Sequence, residues 1–527
     1  MSKNAAAKPM VKISNTWIQG FVSQEGVANY LGLKYASIPA RFRTATLLEV
    51  DRLGDFVDAS AYGPCCPQPE NKNQESRRHL FAGTVSMSEF ECLNLNIYTP
   101  SESLLDPSGC PVVVWIHGGG WIFGAGGPEY DGNYLIKHSV NKGKPCVLVT
   151  INYRLGRYGF LASGELQAEA ESNAENYYPN QGLHDQQLAL QWVQRYVHHF
   201  GGNPSKVTIA GQSAGGFSAL THLITDIPLC RAGWIMSSPL DPFISVTQAQ
   251  QTFDRLVTGT GLRLSSSNSE KLTKLRNLTE LEMDELVRGK MLIRPVWDPI
   301  WFAYQEEQKP VEWTSDFPEW LQGLTIGWAA DEVITFQTLW ASWSVQELLA
   351  TVNVMIPDQE MERDVIQIYG IAGPPEKALS GFVEFASDCL YTRMPQALSQ
   401  AQFPISIYRF EQIDDFNGSV YRGSAYHCLD NAYLFRLPAI AGTDAPEARR
   451  LTTDAVSDRF LAFVYGTQAW EPFKTGQKIM YFNGANSGLV ESKAFEKLSQ
   501  LVSTEERETI LIDAAERMLE HMRRPAD

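Results

Sequence analysis

Short runs of β-branched and aromatic residues recur along the chain, separated by stretches with helical spacing. VVVWIH (112–117), CVLVTINY (146–153), KVTIAG (206–211), GWIMSS (233–238), LTIGWA (324–329), ISIYRF (405–410) and KIMYFN (478–483) read as buried strands. Runs that are apolar on both faces suit a mostly parallel sheet covered by helices. Between two of them, residues 184–200 place Ala189, Trp192, Val193, Tyr196, Val197 and Phe200 on one helical stripe. The alternation predicts a doubly wound α/β sheet with helices on both faces.

Residues 245–320 break this rhythm. They are helical in pattern and polar, and they predict an insertion that caps the sheet. Seven of the 13 tryptophans fall between Trp297 and Trp343. They fit two roles, filling the core between cap and sheet or lining an aromatic substrate pocket. The charged stretch 504–523 predicts a surface-packed terminal helix, within C-terminal helices over roughly 488–523. No internal repeat and no low-complexity linker interrupts the chain, so residues 1–527 are expected to form one catalytic domain.

Composition narrows the class. The 527 residues are 44% hydrophobic, 20% charged and 11% aromatic, which argues against disorder, collagen and coiled coil. Sixty acidic residues against 44 basic ones give a net charge of -16, which repels phosphate backbones and argues against nucleic acid as a partner. No run of 18 apolar residues predicts a membrane-spanning helix. The first 22 residues lack the apolar stretch of a secretory signal, and the terminal RRPAD matches no retention or peroxisomal tail. Eight cysteines are too few for a disulfide framework in a chain of this length. The expectation is a cytoplasmic enzyme. The glycosylation patterns at Asn277 and Asn417 carry no weight in that compartment.

The strongest local signal is Gly211-Gln212-Ser213-Ala214-Gly215. KVTIAG before it is a strand pattern and AGGFSALTHLIT after it a helix pattern, the context a nucleophile elbow requires. Gly211, Gly215 and Gly216 let strand and helix approach. The turn then projects Ser213 at a helix N-terminus, where the dipole favours an anion. A serine hydroxyl also needs an oxyanion site and a base. His117-Gly118-Gly119-Gly120-Trp121 directly follows the strand VVVWIH, so its backbone N–H groups and that of Ala214 are candidate oxyanion donors.

The base is expected late in the chain, after the acid. Of nine histidines only His427 and His521 follow residue 332. His521 sits in the charged terminal helix and His427 in GSAYHCLDNAYLF, so His427 is the candidate. Asp331-Glu332, after LTIGWA, are the candidate acids, and spacing does not choose between them. Asp414-Asp415 are rivals, but they lie 12 residues from His427 and after the wrong strand. The acid would hold the imidazole in one tautomer and stabilise the imidazolium.

Together these residues resemble the type-B carboxylesterase/lipase family, which includes the cholinesterases. The resemblance runs through YLGLKYASIPARFR (30–43), NYRLGRYGFLAS (152–163), the block from Gly182 to Gly216, and SAYHCLDNAYLF, and so covers nearly the whole chain. The short form IPARFR looks most like fungal members. Membership implies the α/β-hydrolase fold and a serine carboxylesterase that works through an acyl-enzyme. It implies Ser213 as nucleophile, His427 as base, Glu332 as acid from the match of Asp331-Glu332-Val333 to the family's DEG, and Gly119, Gly120 and Ala214 as oxyanion donors. It implies no cofactor, and the histidines show no metal-ligand spacing. It also implies a pairing of Cys66 with Cys92, with Cys65 as a competitor.

The second family signature, FECLNLNIYTP, departs at Glu91 and Asn94. Gln212 stands where many relatives carry Glu, which removes a negative charge beside the serine. Trp121, Gln212, Trp297, Trp301 and Trp328 are candidate pocket residues, with Trp340 nearby. Residues 67–91 contain no tryptophan, whereas cholinesterases stack one there on a quaternary ammonium, and Arg77-Arg78 add positive charge. The expected substrate is therefore a neutral, fairly apolar, small-molecule ester. An acyltransferase, a lactonase or a product-releasing esterase of secondary metabolism would use the same machinery. A catalytically dead interaction protein is the remote alternative, against which the intact Ser213, Glu332 and His427 argue.

Overall fold

A computed structural model of the chain describes residues 8–70, 75–101, 108–240, 243–287, 293–298, 317–336 and 340–523. Its first strands are β1 (Met10–Ile13), β2 (Thr16–Gln19), β3 (Phe21–Val22), β4 (Val27–Lys34), β5 (Ala36–Ser37), β6 (Thr46–Leu47) and β7 (Phe56–Asp58). β8 (Asn94–Pro100), β9 (Cys110–Ile116), β10 (Val147–Ile151), β11 (Gly202–Gln212) and β12 (Ala232–Met236) follow. Then come β13 (Gly323–Ala329), β14 (Ile405–Phe410), β15 (Lys478–Phe482) and β16 (Gly488–Glu491).

Eleven of these strands form one sheet in the order β16-β15-β14-β13-β12-β11-β9-β10-β8-β4-β3. The strands from β15 to β10 run parallel, and antiparallel strands flank them at both edges. This is the α/β-hydrolase fold. All seven apolar runs are strands of this sheet. β4 and β8 lie outside those runs, and β8 has a physical reason. Its buried face includes Asn94 and Asn96, whose polarity hides the strand pattern. Asn96 Nδ2 donates to Gly126 O at 2.7 Å and Thr150 Oγ1 at 3.0 Å, and Asn94 Nδ2 donates to Pro64 O at 2.7 Å. Hydrogen-bonded amides of this kind can be buried without the usual penalty.

The order of strands places the site. From β9 the chain crosses to β10 on one side, then returns to place β11 on the other side. The loops leaving β9 and β11 therefore diverge from adjacent strand ends, the usual location of a binding crevice in such sheets. Register brings them level, since Gly211 of β11 pairs with Ile116, the last residue of β9.

Helix Gln181–Tyr196 carries the stripe read from the sequence. Ala189, Trp192 and Val193 are buried in the main core. At the helix start, Asp185 takes Arg154 in a bidentate pair, Nε–Oδ2 and Nη2–Oδ1 both at 2.8 Å. Both side chains are essentially inaccessible to solvent, and Arg154 Nη1 also donates to Gln181 Oε1 at 2.6 Å.

Within 245–320, helices Val246–Gly259, Asn268–Arg276 and Glu280–Val287 pack Phe253, Leu256, Leu275 and Met283 against Phe42, Leu161 and Leu166. Ser245 with Gln248 and Ser267 with Glu270 form capping boxes that start two of these helices. A second helical block lies between β13 and β14, with helices Val345–Met355, Gln359–Tyr369, Pro375–Ser387 and Arg393–Ser399. The terminal helix Glu505–Arg523 completes its separate core through Leu511, Ala514 and Met518. The stretch 488–523 opens with strand β16, and helices Glu496–Leu501 and Glu505–Arg523 follow. Among the described residues no helix is long and apolar enough to cross a membrane.

The buried Arg154–Asp185 pair ties the loop after β10 to the long helix. Removing one partner of a buried pair leaves the other charge uncompensated and costs about 3–5 kcal/mol. Asp185→Ala is expected to lower the thermal unfolding midpoint by several degrees, measured by calorimetry or circular dichroism. An unchanged midpoint would show that the pair does not hold the fold.

Candidate active site

β11 ends at Gln212, and helix Ala214–Leu223 begins two residues later. Ser213 between them has φ 57° and ψ -128°, a left-handed φ that non-glycine residues rarely adopt. Only very small neighbours allow this turn. A Cβ on Gly211 would lie 2.3 Å from Gly215 O, and one on Gly215 would lie 2.1 Å from Ile116 O. Ser213 N–H donates to Met236 O at 2.9 Å, which fixes the turn to β12.

The loop after β9 presses against this turn. A Cβ on Gly118 would come within 3.0 Å of Ser213 Cβ. Gly119 and Gly120 both have positive φ, 110° and 62°. His117 braces the loop. Its ring stacks on Tyr153 at 4.5 Å, and Tyr153 Oη donates to His117 O at 2.9 Å. Burial pushes the His117 pKa down to about 4, so this ring is neutral. Among the described residues, the N–H groups of Gly119, Gly120 and Ala214 meet no acceptor. Three unsatisfied donors beside a serine at a helix N-terminus are suited to binding an oxyanion.

The adjacent acids after β13 take different roles. Glu332 is fully buried. Its Oε2 lies 2.5 Å from His427 Nδ1, and its Oε1 accepts from Ala329 N–H at 2.6 Å. Asp331 turns away and accepts from Ala425 N–H at 2.8 Å, so it pins the loop that carries His427. Asp414 bonds Ser419 and the N–H of Phe416, and Asp415 pairs with Arg449, so neither rival reaches the imidazole.

Burial works to lower the His427 pKa, and the Cys428 sulfur, the Tyr391 oxygen and Glu332 carry it above the ordinary imidazole value. Asp430, one helical step onward, is pushed up to about 7 by burial and by Glu332. His427 Nε2 faces Gln212 Nε2 at 3.0 Å, and no bond joins it to Ser213 Oγ among the described residues. Nothing in the residue spacing signals the contacts of Gln212, Cys428 or Asp430.

The pocket candidates are placed mostly by packing. Trp121 is buried, stands edge-on to Phe217 and donates to Ser218 Oγ at 3.1 Å. Trp328 is buried and stacks on Phe495, and Trp340 packs edge-on against Phe382. Trp297 is half-buried, and its backbone N–H donates to Ile244 O at 3.0 Å. Trp301 lies outside the described residues, and the side chain of His521 is likewise not among them. Arg77 is neutralised by Glu129 at 2.5 Å. Cys66 and Cys92 are buried against each other as free thiols, while Cys65 bonds Gln68 instead. Among the described residues no group of three or more His, Cys, Asp or Glu is placed to hold a metal ion.

An α/β-hydrolase sheet, a strained serine at its elbow and a buried carboxylate–imidazole pair define a serine hydrolase architecture. The model of the carboxylesterase family matches residues 7–491, and the chain belongs to this family. It is 30% identical to the para-nitrobenzyl esterase of Bacillus subtilis (strain 168) over 78% of this chain and 80% of that protein. It is 33% identical to lipase 2 of Diutina rugosa over 52% of each. A solved structure of a PNB esterase superposes with a TM-score of 0.74, covering 94% of this chain and 100% of that one at 23% identity. On its family membership the chain is a carboxylic-ester hydrolase.

The elbow depends on the absence of a side chain at Gly215. Gly215→Ala is expected to lower the unfolding midpoint and to abolish fluorophosphonate labelling of Ser213. Gly120→Ala meets no atom within 4 Å and carries only the cost of its positive φ, about 1 kcal/mol. It should keep both fold and labelling. Equal behaviour of the two variants would refute the steric account.

Proposed function

We propose that Ser213, His427 and Glu332 act as nucleophile, base and acid in hydrolysis of a neutral, fairly apolar carboxylic ester. The observation that carries this reading is the 2.5 Å contact between buried Glu332 and His427 beside the elbow serine. Ser213 Oγ attacks the acyl carbonyl, and its proton passes to His427 Nε2. The Glu332 carboxylate stabilises the imidazolium through Nδ1–H. The N–H groups of Gly119, Gly120 and Ala214 hold the tetrahedral oxyanion. His427 then donates its proton to the leaving alcohol. Water, activated by the same imidazole, releases the acid from Ser213.

A neutral substrate is supported by three features of the chain. Gln212 supplies an amide where a carboxylate would attract a cation, and Arg77 is already compensated by Glu129. Residues 67–91 offer no tryptophan to stack on an ammonium group.

Ser213→Ala and His427→Ala are expected to lower kcat by several orders of magnitude while substrate still binds. Glu332→Gln should cost less and Asp331→Asn less again. A larger loss in Asp331→Asn, in steady-state kinetics, would reassign the acid. Gly119→Pro deletes one N–H and should lower kcat by about 10²–10³, provided the variant folds.

A desolvated cation–π contact contributes roughly 2 kcal/mol, so a site without one should discriminate more than about tenfold against a choline ester. The measurement is kcat/KM for butyrylthiocholine against its uncharged carbon isostere. Equal or faster turnover of the cation would overturn the substrate assignment.

A further inference from the structure

A cleft of about 660 Å³, a volume within the range of small-molecule sites, opens beside β4. β4 lies three strands from β9, about 14 Å across the sheet. The cleft shares no residue with the site around Ser213. One wall comes from β7, which presents Phe56. The single turn Val50–Leu53 supplies Arg52 and Leu53, and Leu48 follows β6. Phe90 and Glu91, from the segment before β8, also line it, as does Lys34 at the end of β4.

Its apolar surface is exposed to water. Phe56 is 54% exposed and Phe90 46%, and both belong to the same concavity. Apolar side chains scattered singly over a surface are ordinary, whereas two aromatic rings at one hollow, beside Leu48 and Leu53, form a contiguous patch. Trp17, exposed on β2 and paired in register with Phe56, extends that patch.

Charge adds a second constraint. The lining holds two cations, Lys34 and Arg52, and one acid, Glu91. Glu91 pairs with Lys34. Among the described residues no carboxylate or carbonyl oxygen bonds the Arg52 guanidinium. Asp51 and Asp55 flank the turn but do not line the cleft. One cation is thus left for a ligand, in a chain whose net charge of -16 repels anions elsewhere. Arginine suits a carboxylate, because its planar fork donates two parallel N–H bonds.

We propose that this cleft binds an amphipathic carboxylate, with its chain against Leu48, Leu53, Phe56 and Phe90 and its head on Arg52. Hydrolysis of an apolar carboxylic ester releases an acid of this class. The cleft is therefore a second site for such an acid, separate from the one beside Ser213. The assignment comes from the cleft's own walls and does not depend on which residue is nucleophile or base.

The test is isothermal titration of octanoate and octanol into the full chain after fluorophosphonate treatment, which fills the site around Ser213. Octanoate is expected to bind one site saturably, about tenfold more tightly than octanol, because only the acid makes charge-assisted hydrogen bonds. Arg52→Ala should lower octanoate affinity about tenfold and leave octanol unchanged. Phe56→Ser should weaken both. Both positions are exposed, so each variant should keep the wild-type unfolding midpoint and, untreated, the wild-type kcat/KM on p-nitrophenyl acetate.

Absence of saturable octanoate binding, or binding that neither substitution weakens, would overturn the proposal. Octanol bound as tightly as octanoate would make the cleft an apolar surface without a carboxylate site and overturn it too. A concentration-dependent dimer in sedimentation velocity, lost in Phe56→Ser and indifferent to octanoate, would assign the cleft to a second copy of the chain instead. Failure of the fluorophosphonate to add mass at Ser213 would refute the nucleophile assignment, and the comparison of position-52 and position-56 variants would still decide the cleft.

Discussion

The carbonyl oxygens of Ile116 and Gly215 lie so close to the α-carbons of Gly215 and Gly211 that no side chain fits between β9, β11 and the helix after the elbow. That close approach does several things at once. It brings the helix N-terminus over the strand ends, where its dipole adds to the field at Ser213. It forces Ser213 into a left-handed φ, and the surrounding backbone holds the residue there. It also presses Gly118 against the serine, so the loop donors and the nucleophile sit side by side. A looser junction would spare the strain and scatter these groups, and a site 1 Å too loose loses much of its preorganisation.

Electrostatics then depends on burial. Glu332 has no solvent to share its charge with, so its two oxygens are satisfied by His427 and by the N–H of Ala329. Its neighbour Asp331 spends its carboxylate on the backbone of Ala425 and keeps the histidine loop in reach. Two adjacent acids of similar chemistry thus divide into a partner for the imidazole and a fastener for the loop. Asp430 shows the converse. Crowded by burial and by Glu332, it titrates near neutrality, which lessens the repulsion of two carboxylates in one dry region.

Much of this was legible in the sequence, and the gaps have physical causes. Strands buried on both faces announce themselves as continuous apolar runs, so the parallel centre of the sheet could be read directly. β8 could not, because Asn94 and Asn96 satisfy their amides inside the core and disguise the pattern. The helical block between β13 and β14 was also missed, although Met361, Val365 and Tyr369 repeat at the four-residue spacing of one helix face. The elbow and the glycine loop carry local signatures, since backbone approach demands particular small residues. The roles of Asp331 and Glu332 do not, because side-chain direction in a loop is set by tertiary packing. The tryptophans show the limit of composition. Neighbours in sequence divide in space, since Trp328 stacks on Phe495 whereas Trp340 and Trp343 both pack against Phe382 in a separate core.

The strand order has a consequence for how the molecule is made. Once β10 has entered between β8 and β9, β11 adds beside β9, and each later strand of the sheet, from β12 to β16, adds to the outer edge left by the one before. From β11 onward the sheet can therefore grow outward in the order of synthesis, with no later strand having to insert between two others. Until the last strands leave the ribosome, that growing edge is an unpaired apolar strand, open to other nascent chains. β16 ends this exposure. It is short, antiparallel and half-exposed, and it carries Glu491 at its end, features that discourage a further strand from adding.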